Sequence, residues 1–186
     1  QINKIRDKIV PFAPGNRLLN FDKYELWFFR PEIFNKLKKD NWKLHSFLCE
    51  NGFFPGSIEE VIVNDDIDKF IEYMKMSTIS YETRINYNIF YHSHVISEET
   101  NLIEFAAFYS SIKIFKYLIN SLSKEDIELL SNKSVNCPYL ATYGNSFEII
   151  KICEQFNFNL TNSLFCAACF YKHEILNWLI EVKDID

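Results

Sequence analysis

One short pattern recurs along this chain and constrains its fold more than any other feature. It appears as AAFYSSIKIFKYL from Ala106, as ATYGNSFEIIKIC from Ala141 and as AACFYKHEILNWL from Ala167. In each copy two small residues precede a short turn, and a run rich in apolar residues follows. Self-similarity of this kind is typical of helix pairs that stack and share one core. The sequence therefore predicts repeated helix–turn–helix units.

The turn inside the pattern aligns these copies with two weaker ones upstream. The aligned turn positions are Asp40, Asp65, Ser110, Asn145 and Tyr171. Their uneven spacing predicts about five irregular antiparallel helix pairs rather than a regular array. Asp, Ser or Asn occupies four of the five positions, and these side chains are expected to cap the helix that follows. After each turn, apolar residues recur three and four apart, so each unit needs the next one to bury its apolar stripe.

Composition agrees with an all-α fold. Only 4 Gly and 5 Pro occur in 186 residues, which is too few for a turn-rich β architecture. We expect one continuous solenoid, with a loosely repeat-like helical segment at 1–57 and the repeat region at 58–186. The segment 77–100 has no convincing helical stripe, and we expect a long loop there with one short helix around Tyr81–Phe90.

Charge and cysteine content limit the classes of function. The net charge is −5, which gives no indication of the clustered basic surface that nucleic-acid binding requires. No apolar run approaches the roughly 20 residues that span a bilayer, so no membrane insertion is expected. Five irregularly spaced cysteines make a poor disulfide framework and favour a reducing, cytoplasmic location. Because the chain begins at Gln1 without a methionine or a signal-peptide pattern, we expect an excised or processed segment.

The recurrent pattern resembles the ankyrin repeat. Ala106–Leu118 is similar to the ankyrin sequence A-A-x-x-G-H-L-E-V-V-K-L-L, with Ser110 in the place of its glycine. Together with NDDIDKFIEYM and ATYGNSFEIIKICE, it resembles the divergent ankyrin-type domain of unknown function found in large protein families of parasitic protists. The resemblance covers residues 58–180 well and 26–57 loosely. It implies an α-helical solenoid that binds other proteins. The T-P-L-H and G-A-D-V-N segments of regular ankyrin repeats are absent, so irregular loops are expected instead of hairpin fingers.

Cys166, Cys169 and His173 are the strongest candidates for metal ligands. Their spacing of three and four residues suits one helical face, and two thiolates with an imidazole suit zinc. A fourth ligand would have to come from Cys153 or Cys137. The aligned turn at Tyr171 argues against the site, because it would place His173 on a different helix. A zinc-stabilised helical domain is therefore an alternative interpretation, and our preferred one includes neither a metal nor a cofactor.

The two residues that follow each small pair are the candidates for partner binding. In repeats of this kind they face outward on the concave side, where partners dock. Aromatic residues at these positions bury much area at a small entropic cost. They are Phe108, Tyr109, Tyr143 and Phe170. Because the chain lacks nucleophile and phosphate-loop motifs, we expect a protein-interaction module without catalysis. A structural component of a large assembly is a further alternative.

Overall fold

The computed structural model describes residues 31–76, 79–86, 90–91, 93, 95–97 and 99–182, and it divides into two compact units, 1–45 and 46–186. Within the described residues, the secondary structure is helical apart from turns, loops and one isolated bridge between Arg84 and Asn101. The all-α prediction is therefore confirmed for this part of the chain. The helices are α1 (Pro31–Asn51), α2 (Ile58–Val63), α3 (Ile67–Met76), α4 (Leu102–Phe108), α5 (Ile112–Ile119), α6 (Lys124–Ser131), α7 (Cys137–Tyr143), α8 (Phe147–Gln155), α9 (Thr161–Cys169) and α10 (His173–Asn177), the last running into a π-helical turn, Trp178–Val182.

Helix α1 is broken in its middle. Lys39 is extended, and Asp40, Asn41 and Trp42 have φ values of 51°, 56° and 65°. The break coincides with the turn that the sequence pattern places at Asp40. The helix ends at Asn51, where Gly52 has a φ of 83° and donates its amide to the Leu48 carbonyl at 2.8 Å. This left-handed glycine is the helix ending that the Asn-Gly sequence favours.

The unit 46–186 contains four helix pairs, which are α2/α3, α4/α5, α7/α8 and α9/α10. The turns within them hold Asp65, Ser110, Asn145 and Tyr171, whose φ values are 49°, 61°, 64° and 56°. Each of these residues therefore occupies the left-handed region, where glycine is the least strained residue. All four turn positions aligned from the sequence in this unit thus share one backbone conformation.

The pairs pack in the order of the chain. The first helices form the series α2, α4, α7 and α9, in which each contacts the next. The second helices α3, α5 and α8 also contact one another in sequence. Helix α6 lies outside this pairing and connects the second complete pair to the third. The resulting core takes in the predicted apolar stripes, because Ile114, Phe115, Leu118, Ile149, Ile150 and Cys153 are all fully buried.

Side-chain caps begin several helices. Asn101 and Glu104 form a reciprocal capping box at α4, with both amide bonds at 3.0 Å. Ser123 and Asp126 form a second box at α6. At α2, Ser57 accepts the Glu60 amide, but the Glu60 carboxylate accepts the Gly56 amide rather than that of Ser57.

Asp65 and Ser110 do not cap the helices that follow them, so the capping prediction is wrong for these turn residues. Ser110 donates its hydroxyl to the Gly144 carbonyl, and the residues directly before α5, α8 and α10 make no side-chain cap bond either. Asp66 accepts the amide of Lys69 at the start of α3. Its neighbour Asp65, the predicted cap, instead accepts the amides of Lys113 and Ile114 in α5, each at 3.0 Å. The left-handed backbone of Asp65 therefore directs its carboxylate to the adjacent helix pair.

The described part of 79–100 is a loop held by backbone bonds. Ile85 donates its amide to Thr100, and Leu102 donates to Thr83, both at 3.0 Å. The buried Glu59 of α2 accepts the Asn86 amide at 2.7 Å, which fastens the loop to the first pair. Residues 81–86 contain a turn and the isolated bridge from Arg84 to Asn101, and they are not helical. The prediction of a short helix around Tyr81–Phe90 is therefore wrong for residues 81–86. Residues 87–89 lie outside the described part.

Candidate protein-interaction surface

The four predicted partner-binding aromatics lie in one continuous cluster, here called the aromatic row (Phe108, Tyr109, Tyr143 and Phe170). The Phe108 and Tyr143 rings stack with centroids 5.3 Å apart and an interplanar angle of 23°. The Phe170 ring meets Tyr143 edge-on at 4.5 Å, and Tyr109 meets Phe108 edge-on at 4.9 Å. The row therefore crosses three successive helix pairs without a gap.

The helix ends place these rings at the edge where each first helix meets its turn. Phe108 and Tyr143 are the last residues of α4 and α7, and Phe170 directly follows α9. Because these three helices pack in series, their carboxyl-terminal ends come into register. Phe108 and Tyr143 occupy one repeat position and Phe170 the next, so the three aromatic side chains form a row of neighbouring rings.

A close backbone approach brings the first two rings together. A Cβ atom on Gly144 would lie 2.0 Å from the carbonyl oxygen of Phe108, so only glycine fits at this point. The Ser110 hydroxyl donates to the Gly144 carbonyl at 3.3 Å across the same gap. Gly144 therefore sets the separation between the two turns from which Phe108 and Tyr143 project.

All four side chains of the row are half-buried rather than fully exposed. The Tyr109 ring also packs on the buried Phe105 at 4.7 Å, and burial raises the pKa of its hydroxyl. The row thus has one side in the core and one side in solvent. Packed aromatic edges of this kind are fixed in position before any partner arrives, which lowers the entropic cost of binding.

The zinc candidates are not assembled by the fold. Cys166 is buried and its thiol donates to the Tyr139 carbonyl at 3.5 Å, whereas Cys169 and His173 are exposed. As the aligned turn at Tyr171 implies, His173 begins α10 and the cysteines belong to α9. In the part of the chain that the structure describes, no three His, Cys, Asp or Glu side chains form a group that could hold a metal ion.

Burial also makes three of the thiols poor nucleophiles. Burial raises the pKa of Cys166 to about 12 and raises those of Cys137 and Cys153 well above the usual thiol range. Since the thiolate is the reactive form, these cysteines are expected to be inert at neutral pH. They serve as small core residues in the helices that carry them.

The sequence did not single out several other exposed apolar side chains. Phe165 and Tyr171 are 68% and 78% exposed, and both belong to the last helix pair. Tyr171 could have been noticed, because it is the one aromatic residue among the aligned turn positions. Nothing in the periodicity marks Phe165, since an apolar residue in α9 is equally expected in the core.

No family model, curated protein or solved structure matches this chain. Of the helices that the structure describes, none is both long enough and apolar enough to cross a membrane.

Proposed function

We propose that this chain is an ankyrin-like helical solenoid that binds a protein partner through the aromatic row. The observation that carries the proposal is the continuous contact of Phe108, Tyr143 and Phe170 across three helix pairs. A surface made of the corresponding helix ends of successive repeats is how repeat proteins present an extended binding site. Aromatic residues are also the most frequent anchors of protein–protein interfaces.

The ankyrin-like part of the proposal is supported by two features of the turns and helices. The first and second helices each pack in chain order, as in a two-layered repeat array. The turn residue that stands in the place of the ankyrin glycine has a positive φ in all four pairs of the unit 46–186. These features are independent of each other, since one concerns packing between pairs and the other the backbone within a pair.

Binding, rather than catalysis, is supported by the character of the site. The row consists of aromatic side chains. Burial raises the pKa of the Tyr109 hydroxyl, so this group stays neutral. A neutral, preformed aromatic edge suits the apolar side chains of a protein partner. We expect binding to depend on Tyr143 and Phe170, which can be shortened with less damage to the core than Tyr109.

The proposal is tested by capture of partners from native lysate on immobilised chain. The test variant is Tyr143→Ala with Phe170→Ala, and the control is Tyr117→Ala, an aromatic residue of α5 that is 39% exposed and lies outside the row. We expect the wild type and the control to retain the same protein and the double variant to lose it. Circular dichroism must show equal helicity in all three.

Two results would contradict the proposal. One is equal recovery of the same protein by the double variant and the wild type. The other is that the wild type retains no protein in a larger amount than the double variant does.

A further inference from the structure

The break in α1 contains more left-handed backbone than the other turns do. Asp40, Asn41 and Trp42 have φ values of 51°, 56° and 65° and ψ values of 44°, 46° and 19°. Three successive residues therefore occupy the left-handed region. The turns inside the four helix pairs of unit 46–186 each contain one residue with positive φ. One such residue is thus enough to lead from a first helix to a second, and α1 has two more. We call residues 40–42 the left-handed turn.

Three left-handed residues in succession are strained. In an L-residue this conformation brings Cβ close to the carbonyl oxygen that follows, so it occurs at single residues and not in runs. Asp40 and Asn41 have short polar side chains that tolerate it, whereas the bulky side chain of Trp42 does not. Glycine, which has no Cβ, occupies none of the three positions. The left-handed turn is therefore higher in backbone energy than a right-handed backbone at the same residues.

The surroundings of the left-handed turn constrain it only in part. Asp40 and Asn41 are exposed, and Trp42 is half-buried. The Trp42 ring meets the His45 ring edge-on, with centroids 5.6 Å apart and an interplanar angle of 79°. Strained residues persist where the neighbouring structure holds them. Here the packing of Trp42 supplies such support, while the other two residues face solvent.

A continuous helix is compatible with the sequence on both sides of the break. Neither proline nor glycine occurs between Pro31 and Gly52. Leu37, Leu44 and Leu48 are spaced by seven and four residues, so they would lie on one face of an unbroken helix. Lysine and leucine account for six of residues 36–44, and both are good helix formers. In a right-handed backbone these residues would form a regular helix without the strain.

We propose that the left-handed turn is a conformational switch, at which residues 40–42 change between the left-handed backbone and a right-handed backbone that makes α1 continuous. Relief of backbone strain favours the continuous helix. The contact of Trp42 with His45, and the tolerance of Asp40 and Asn41 for positive φ, favour the broken helix. A molecule that binds one form more tightly shifts the protein toward that form. The switch lies in unit 1–45 and does not depend on the function of the aromatic row.

The test is nuclear magnetic resonance spectroscopy of the whole chain. In a right-handed helix the side chains of residues i and i+3 lie on one face, so the Hα atom of one residue is close to the Hβ atoms of the residue three positions later. Such contacts from Leu37 to Asp40 and from Lys38 to Asn41 form in the continuous helix and not in the broken one. Their intensity gives the ratio of continuous to broken helix. We expect the wild type to contain both forms.

Two variants should change this ratio in opposite directions. Asp40→Ala with Asn41→Ala should raise it about tenfold, because alanine is the better helix former at both positions. Trp42→Gly should lower it about tenfold, because glycine enters the left-handed region without steric cost and weakens a helix. The control is Tyr171→Gly, which replaces an aromatic residue at a turn with a single positive φ of 56°. It should leave the ratio as in the wild type.

An equal ratio in the wild type, the double alanine variant and Trp42→Gly overturns the proposal, whether α1 is broken or continuous in all of them. A change of the same size in Tyr171→Gly also overturns it, since the effect would then not arise from the left-handed turn. Amide signals of Ile114 and Ile149, both fully buried in unit 46–186, show in the same spectra that each variant is folded. The two single alanine variants, each expected to raise the ratio about threefold, replace the double variant where it does not fold.

Discussion

The Asp65 carboxylate of one helix pair caps Ile114 in the helix of the next pair, through a 3.0 Å hydrogen bond from the Ile114 backbone amide. The second carboxylate oxygen accepts the amide of Lys113 at the same distance. The first amides of a helix have no partner within that helix, so they need such acceptors. One side chain thus satisfies two amides and joins two pairs.

Replacing Asp65 by glycine should lower the free energy of unfolding by about 1 kcal/mol, the usual loss on removing a helix cap. Glycine is suited to the left-handed backbone at this position, where φ is 49°, so the substitution isolates the lost hydrogen bonds from backbone strain. Chemical denaturation measures the change. The matched control is Asn145→Gly, also at a turn with positive φ. Equal effects of the two substitutions would contradict the cap.

Gly144→Ala should destabilise the protein by about 1–3 kcal/mol, the usual range for overpacking a tight site. The added methyl group would lie 2.0 Å from the Phe108 carbonyl oxygen, and backbone on both sides of the contact would have to move. Because Phe108 and Tyr143 flank this contact, the same variant should also weaken partner binding. Denaturation measures the stability, near-ultraviolet circular dichroism reports on the packing of these rings, and capture of partners from native lysate measures the binding. An alanine variant with wild-type stability would show that the approach is looser than described.

The Lys133–Glu104 ion pair should contribute to stability because Glu104 also takes part in the capping box of α4. Glu104 is 3% exposed, and its Oε1 atom lies 2.7 Å from the Lys133 ammonium. Its Oε2 atom accepts the backbone amide of Asn101. Lys133→Met should cost about 1–3 kcal/mol, since it leaves a buried carboxylate without its charged partner. Glu104→Gln combined with Lys133→Met should recover part of that loss.

A double-mutant cycle of these two substitutions, followed by urea denaturation, measures the coupling. Additive effects of the two substitutions on the free energy of unfolding would contradict this coupling. A useful control is Lys116→Met, because the Lys116–Glu148 pair has the same 2.7 Å distance but both side chains are about half exposed. Exposed pairs contribute at most about 1 kcal/mol, so this control should have the smaller effect.

Thiol reactivity should divide the five cysteines into two groups. Cys49 and Cys169 are exposed, whereas Cys137, Cys153 and Cys166 are buried and have raised pKa values. In the folded protein at pH 8, an aromatic disulfide reagent should therefore modify the two exposed thiols quickly and the other three only as the protein opens. Absorbance of the released thiolate gives the count, and unfolding in guanidinium should release the remaining three. Rapid reaction of a third thiol in the folded state would contradict the assigned burial.

The hydrogen bond between Tyr81 and Asp126 should make stability depend on alkaline pH. Burial, with the nearby Asp126 carboxylate as a further cause, raises the pKa of Tyr81 above its usual value of 10.0. A raised pKa in the folded state means that this contribution is fully present below about pH 10 and is lost as pH rises through the folded value. Tyr81→Phe should therefore flatten the decline of stability above pH 10. Denaturation at pH 8 and pH 10.5 provides the comparison, and an identical decline in both proteins would contradict the assignment.

The repeat pattern predicted the features that depend on local sequence. The turn positions and the buried apolar stripes follow from spacings of a few residues, and the structure has them. The hydrogen-bond partners of the Asp65 carboxylate could not be predicted from such short spacings. Its partner amides lie 48 and 49 residues further along the chain, in a different pair.

The candidate surface was predicted residue by residue, but its packing was not. Periodicity placed Phe108 and Tyr143 at equivalent positions, and the structure adds that their rings stack at 5.3 Å. Periodicity also treats Ala107 and Ala168 as equivalent, although one is buried and the other exposed. The difference arises from what packs on each helix, and a pattern of residue types carries no information about that.

Two adjacent serines connect the second helix pair, α4/α5, to both of its neighbours. The Ser111 hydroxyl donates to the Ile62 carbonyl at 2.5 Å, and the Ser110 hydroxyl donates to the Gly144 carbonyl at 3.3 Å. When the chain is pulled from its two ends, neither neighbour can be drawn away from the α4/α5 pair without breaking one of these bonds. The turns that carry them are therefore points at which the stacked pairs resist mechanical extension.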